Sequence, residues 1–208
     1  MAHRGDVVGV LLAAGLGTRF EGENKLLARV EHRSSEGDPT NRQPIVRLAA
    51  QRLVAAPVDD AVAVLGHEAS RVREALEPVD INTVENPDYA CGQASSVACG
   101  VDWAREREAD AALFALGDMP WVEPSTYRRV SGRWQKSDAS IVVPEYQGTR
   151  GNPVLFDASH FDALAAVSGD IGGRELIARN PVERVAVDDP AIHRDVDREA
   201  DLDDESVE

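Results

Sequence analysis

Two short stretches of this chain carry side chains whose types and spacing could do chemistry. The first is Leu12-Ala13-Ala14-Gly15-Leu16-Gly17-Thr18-Arg19-Phe20, with Lys25 following a few residues later. Glycines at 15 and 17 let backbone N–H groups approach an anion with no Cβ in the way. Arg19 offers a planar fork for two phosphate oxygens, and Lys25 a mobile point charge. The run is not a Walker A loop, which ends in Gly-Lys-Ser/Thr. Nor is it the dinucleotide fingerprint, because Phe20 stands where the third glycine belongs. A plain strand-to-helix turn with two solvated cations is the alternative reading of the same residues. The second stretch is Leu116-Gly117-Asp118-Met119-Pro120, in which a carboxylate directly follows an apolar run. Such an aspartate suits Mg²⁺, which takes one or two carboxylates and completes its shell with water and phosphate oxygens. Pro120 biases Met119 away from helix and keeps that loop open. A turn-capping role for Asp118 is the competing reading.

Composition sharpens these two sites. The chain has 208 residues, 22 Lys+Arg against 37 Asp+Glu, and a net charge of −15. That balance argues against nucleic acid or an anionic membrane as a partner. A bound triphosphate therefore needs a local inversion of sign, and the glycine-rich run supplies one. Only Lys25 and Lys136 are lysines; the other basic residues are arginine. Acidity with almost no lysine is expected of a protein adapted to a salt-rich cytoplasm, as in halophilic archaea, with a merely acidic mesophile protein as the alternative. A single unfolding transition unchanged as salt falls to a few tens of millimolar would contradict that expectation. The longest apolar stretch, Val7 to Gly17, is far short of the roughly 20 residues that cross a bilayer. Met1-Ala2-His3-Arg4-Gly5-Asp6 shows no signal-peptide pattern, and Cys91 and Cys99 make no disulfide framework and have no zinc spacing. A soluble, cytoplasmic, single-domain protein is expected, with an acidic C-terminal tail from about 188 to 208.

The elements that must position the two sites alternate in type. Val7–Ala13 reads as a buried parallel strand, and 31–43 as a polar, turn-rich loop. Pro44 opens a helix to about Ala55. Then come a strand at Asp60–Leu65, a helix at Glu68–Leu76, a weak strand at Asn82–Glu85, and a helix from Ser95 to about Arg107. The strand Ala111–Leu116 precedes Asp118; helix Ser125–Trp134 and strand Ser140–Val143 follow. Extended segments around Tyr146–Phe156, short helices near Phe161 and Arg174, and a strand at Val182–Val187 complete the chain. This order predicts an α/β class, three-layer α/β/α sandwich with a Rossmann-like, mostly parallel sheet. Ligands of such sheets bind outside the carboxyl ends of the strands, which selects the loops Ala14–Lys25 and Gly117–Trp121.

The run Leu12-Ala13-Ala14-Gly15-x-Gly17-x-Arg19-Phe20…Lys25-Leu26-Leu27 resembles the signature of the MobA-like nucleotidyltransferases, which include molybdenum-cofactor cytidylyl- and guanylyltransferases. The resemblance continues through Val64-Leu65-Gly66-His67-Glu68, Asn86-Pro87-Asp88-Tyr89…Gly92-Gln93-Ala94-Ser95-Ser96, and Leu116-Gly117-Asp118-Met119-Pro120. It extends to Gly151-Asn152-Pro153-Val154, to Ser168-Gly169-Asp170-Ile171-Gly172-Gly173-Arg174, and to Asp195-Val196-Asp197-Arg198-Glu199-Ala200-Asp201-Leu202. The last departs from the family's Asp-Ile-Asp-Thr-Pro-Glu-Asp-Leu, with Arg198-Glu199 in place of Thr-Pro. The ordered set spans residues 7 to 202.

The resemblance implies a sheet of the nucleotide-diphospho-sugar transferase type and an Mg²⁺-dependent transfer of NMP from an NTP to a phosphorylated acceptor, releasing pyrophosphate (EC 2.7.7 type). It implies nucleotide contacts from Leu12, Ala13, Ala14, Gly15, Gly17, Arg19, Lys25, Asn86, Ser95 and Ser96. Arg19, Lys25 and Asp118 would be catalytic, with Asp118 holding the metal and Asp197 as a second ligand. In that acidic segment, a solvated surface is an equal reading for Asp197. Asn152, Asp170 and Arg174 would face the acceptor. The favoured pair is CTP and molybdopterin, from Ala13-Ala14-Gly15 and Gln93-Ala94-Ser95-Ser96, with transient contact to a molybdoenzyme. Alternatives are guanylyl transfer to the same cofactor, nucleotidyl transfer to a sugar phosphate, alditol phosphate or phospholactate, and a non-catalytic cofactor-delivery module. Ser95 and Ser96 also suit a helix N-terminus. Asp170 equally suits a cap, His67 a solvated loop, and Cys91 and Cys99 the core or a wall. Trp103, Trp121 and Trp134 read as packing, with Trp121 the one beside the metal loop.

Overall fold

The structure, a computed structural model, describes residues 5–15, 24–31, 42–167, 169 and 173–202. Val7–Ala13 (β1) is continuously apolar because both of its faces are covered, and its side chains divide between two cores by strict alternation. Val7, Leu11 and Ala13 face one layer with Leu113, Tyr127 and Trp134. Val8 and Val10 face the other with Val62, Val64, Phe114 and Val101. β1 runs parallel to Asp60–Leu65 (β4) on one side and to Ala111–Leu116 (β6) on the other. Asn82–Glu85 (β5) extends the parallel set beyond β4. Beyond β6 lies Val154–Asp157 (β9), antiparallel to both β6 and Ile141–Tyr146 (β7). Glu183–Ala186 (β10) closes that edge, parallel to β7, while Thr149–Arg150 (β8) pairs back on β7. The order is thus β10-β7-β9-β6-β1-β4-β5.

Helices Ile45–Val54 (α1), Ala69–Leu76 (α2) and Pro124–Trp134 (α4) supply buried residues to the first core. Gln93–Glu106 (α3), Phe161–Ala165 (α5) and Arg174–Arg179 (α6) supply them to the second. The expected three-layer sandwich with a mostly parallel sheet is the one observed. The chain leaves β1 toward β4 on one side and returns as β6 on the other. That reversal makes the carboxyl ends of β1 and β6 the switch point where such folds take ligands.

Three local differences from the sequence reading have physical causes. Within the predicted loop 31–43, Arg42–Pro44 (β3) pairs antiparallel with Arg29–Glu31 (β2), and residues 32–41 lie outside the described residues. α3 begins two residues before Ser95, because Gly92 adopts φ 104°, which glycine accepts without strain, and lets Gln93 start the helix. The acidic stretch 188–202 is no loose tail. Ile192 and Val196 are buried, and 3-10 turns form at Pro190–His193 and Glu199–Leu202. Val196 packs with Val30, Ile45 and Leu48, so the segment crosses the molecule as a strap.

Candidate active site

The site is assembled from the two loops at the switch point and from that strap. Gly117 N–H donates to the Leu12 carbonyl at 2.9 Å, so the loops after β1 and β6 leave the sheet side by side. Gly15 is exposed, and among the described residues a Cβ there would meet nothing within 4 Å. Gly17 and Arg19 lie outside the described residues.

Lys25 opens a 3-10 turn, Lys25–Leu27, whose orientation is fixed by Asn24. The buried Asn24 side chain accepts from Leu26 N–H at 3.1 Å and donates to the His67 carbonyl at 3.3 Å. Leu26 plugs into the core, so Lys25 must face the other way. Its ammonium lies 2.7 Å from Asp118 Oδ2 and 3.4 Å from Asp197 Oδ1. Burial works against the charged lysine, yet Asp118 and then Asp197 outweigh it and hold the ammonium above its ordinary pKa of 10.5. Asp195 is raised by burial and by the neighbouring Asp197 and Asp118 carboxylates. Three carboxylates around one lysine leave surplus negative charge that a cation relieves.

The strap reaches this point through specific attachments. Val196 N–H donates to the Asp118 carbonyl at 2.9 Å. The Arg194 guanidinium stacks 3.8 Å from the Trp121 ring centre, which gives Trp121 a stacking role within the protein. Asp189, 4% exposed, accepts from Glu123 N–H, Thr126 Oγ1 and Ala191 N–H and anchors the strap to the start of α4.

A cavity of about 370 Å³ reaches Leu116, two residues before Asp118. Leu12 and Leu116, the ends of β1 and β6, form part of its wall with Phe114 and Phe156; Gln93, Arg150, Asn152 and Arg174 supply its polar groups. Asn152 and Arg174 thus meet there, whereas Asp170 lies outside the described residues. The sequence reading missed Arg150, although it adjoins Gly151-Asn152-Pro153. That loop is docked on the strap: Asn152 N–H donates to the Ile192 carbonyl at 3.1 Å, and a Cβ on Gly151 would sit 2.4 Å from the same oxygen. A more open groove of about 530 Å³ lies between Val84–Asp88 and the outer face of α3, with acidic walls at Asp88, Asp102 and Glu106. Its acidic walls disfavour a polyphosphate.

Asn86 and Ser95 line this wider groove and, with Ser96, form a hydrogen-bonded network. Asn86, 3% exposed, donates to Ser95 Oγ and Ser96 Oγ at 2.9 and 3.0 Å and accepts from Asp88 N–H at 2.9 Å. Ser95 Oγ turns back to the carbonyls of Asp88 and Gly92. Neither serine is the N-cap of α3, because Gly92 occupies that position. Cys91, exposed, and Cys99, half-buried, both stand in the wall of the wider groove, and burial pushes the Cys99 thiol up.

A family model described as MobA-like NTP transferase domain matches residues 9–185. The chain is 32% identical over 201 residues to a nicotine blue oxidoreductase of Paenarthrobacter nicotinovorans, covering 92% of each. Among solved structures it is similar to Rv0371c of Mycobacterium tuberculosis, with TM-score 0.74, 30% identity, and 97% and 96% of the two chains covered. A manganese complex of Rv0371c matches with TM-score 0.66 and 30% identity over 88% of each chain. A nucleotidyl transferase of Methanothermobacter matches with TM-score 0.75 and 25% identity over 94% of each.

Proposed function

The chain belongs to the MobA-like NTP transferase domain family, and from that premise we propose that it moves a nucleoside monophosphate from an NTP to a phosphorylated acceptor. The observation that carries the reading is the Lys25 ammonium set between Asp118 and Asp197 at the switch point. In the reaction, an acceptor phosphate oxygen attacks the α-phosphorus and forms a new P–O bond. The bond from that phosphorus to the bridging oxygen of the β-phosphate breaks, and pyrophosphate leaves with the electron pair. The attacking oxygen is already ionised, so the chain need supply no general base. Its task is to align the oxygens and to neutralise charge growing on the α-phosphate and the leaving group. Lys25 faces the α-phosphate in this reading, Gly15 and Gly17 offer backbone N–H groups, and Arg19 holds the outer phosphates.

The donor set fits a divalent cation, since two convergent carboxylates with free positions left for phosphate oxygens and water are what Mg²⁺ accepts. Asp118 and Asp197 would hold it, and when bound it supplies Lewis-acid neutralisation of the phosphate oxygens.

CTP and molybdopterin are the favoured substrates. Ala13-Ala14-Gly15 and the Gln93–Ser96 segment support the cytidylyl choice. The cavity, with an apolar wall and with Arg150 and Arg174, suits a planar body that carries a phosphate. Asn152 and Arg174 contact the acceptor there, and Asp170 remains a candidate by resemblance. Delivery to a molybdoenzyme and adaptation to high salt belong to the same proposal. A second reading, redox chemistry in this cavity, has one observation behind it, the name of the 32%-identical relative. It gives Lys25 and its two carboxylates no task. Pyrophosphate release measured with each NTP, with and without molybdopterin, separates the two. The proposal predicts release that needs NTP, acceptor and divalent metal together; NAD(P)H consumption without pyrophosphate release from any NTP would overturn it.

A further inference from the structure

Asp197 precedes a bend of the strap at Arg198, and the Asp201 side chain bridges that bend. We propose that Asp201 is the positioning residue for Asp197 and thereby sets how tightly the site takes a divalent cation, an inference resting on the metal-dependent reading above. Asp201 Oδ2 accepts the Asp197 N–H at 2.9 Å and the Arg198 N–H at 2.7 Å. These two bonds fix the peptide on both sides of the Asp197 Cα, and with it the direction in which that carboxylate leaves the backbone. The preceding residue is held independently, by the Val196 N–H on the Asp118 carbonyl. Asp197 is therefore gripped from the loop that carries its partner carboxylate and from the far side by Asp201. Arg194, stacked on Trp121, reaches the Asp201 carbonyl at 3.4 Å and ties the end of the strap back to the metal loop. Without these attachments, Asp195, Asp197 and Asp201 would repel one another and the strap would splay. A carboxylate accepting two backbone N–H groups forms charge-assisted bonds strong enough to oppose that. The arrangement also accounts for how the site tolerates Arg198-Glu199: the bend depends on backbone N–H groups and on Asp201, not on the side chains at 198 and 199.

The test uses the full chain, with Mn²⁺ as the probe, bound in the presence of CTP and followed by the loss of its free EPR signal. Asp201→Asn keeps the acceptor oxygen without the charge, and Asp201→Glu keeps the charge but moves the acceptor by a methylene. Positioning predicts that Asn stays within about threefold of wild-type affinity. Glu and Ala lose about 10- to 100-fold, as is usual when a group that orients a metal ligand is removed. The Mg²⁺ concentration for half-maximal pyrophosphate release should rise by the same factor, while the KM for NTP at saturating metal does not move. The reverse order, with Glu retained and Asn lost, would overturn the inference in favour of simple charge. Asp118→Asn serves as the control. Should it weaken Mn²⁺ binding while every Asp201 variant leaves it unchanged, only the positioning role fails. Should neither residue matter, the metal-dependent reading fails with it.

Discussion

Two polar clusters flank the carboxyl edge of the sheet, and both drew attention in the sequence, yet they are built in opposite ways. Asn86, Ser95, Ser96 and Asp88 lie within about one loop and one helical turn of each other, and their hydrogen-bonding groups are spent on one another. Lys25, Asp118 and Asp197 come from three distant parts of the chain, and their charges meet beyond the carboxyl ends of β1 and β6. Asp118 and Asp197 keep 21% and 38% of their side-chain surface exposed, enough for a ligand to reach both. A closed network of neutral groups holds a segment in shape. An open cluster of charges, brought together at the cost of desolvating a lysine, is what phosphate chemistry uses.

The sharpest way to break this contrast is to substitute within the charged cluster. Asp118→Asn or Lys25→Gln should lower turnover by about a hundred- to a thousandfold, the usual loss when a group stabilising transition-state charge is removed. Circular-dichroism melting should show the fold intact, and near-normal pyrophosphate release from either variant would erase the distinction. Asn86→Ala should do the converse. Ser95, Ser96 and the Asp88 N–H lose a partner, at about 1–3 kcal/mol for a buried network. A lowered Tm with a smaller change in the KM for NTP is expected, and a raised KM at unchanged Tm would return Asn86 to the nucleotide. The smallest effect is one of pH. Because the folded pKa of Lys25 lies above its ordinary 10.5, its pairing stabilises the fold fully below that value and is lost as pH climbs through the folded one. The Tm difference between wild type and Lys25→Gln should be flat from about pH 8 to about pH 10 and shrink above it. A difference that shrinks instead between neutral pH and about pH 9 would contradict the ion cluster.

The legible part of the molecule was the part governed by short-range pattern. The apolar runs of β1 and β6, and the Gly-Asp that ends the second, located the switch point because a strand covered on both faces announces itself. Asp118 and Lys25 followed from it. The direction of β9 was not legible, since alternation in Val154–Asp157 is the same for a parallel and an antiparallel partner. The strap was harder still. Ala191, Ile192 and Val196 are sparse among acidic neighbours, and their burial depends on Val30, Ile45 and Leu48 far away in sequence. Asp201 stands in a quoted motif, but its bonds to backbone N–H groups, and the stacking of Arg194 on an indole ring, are not written in it. Asn86 is a residue type suited to ligands, and its hydrogen bonds to Ser95, Ser96 and Asp88 within the fold are likewise written in no local pattern.

The most direct measurement is the structure of crystals grown with Mg²⁺ and a non-hydrolysable CTP analogue. The account predicts Lys25 Nζ about 3 Å from an α-phosphate oxygen, at hydrogen-bond distance. It also predicts the cation between the Asp118 and Asp197 carboxylates. A nucleotide bound elsewhere, with Lys25 still paired only to the two aspartates, would contradict it.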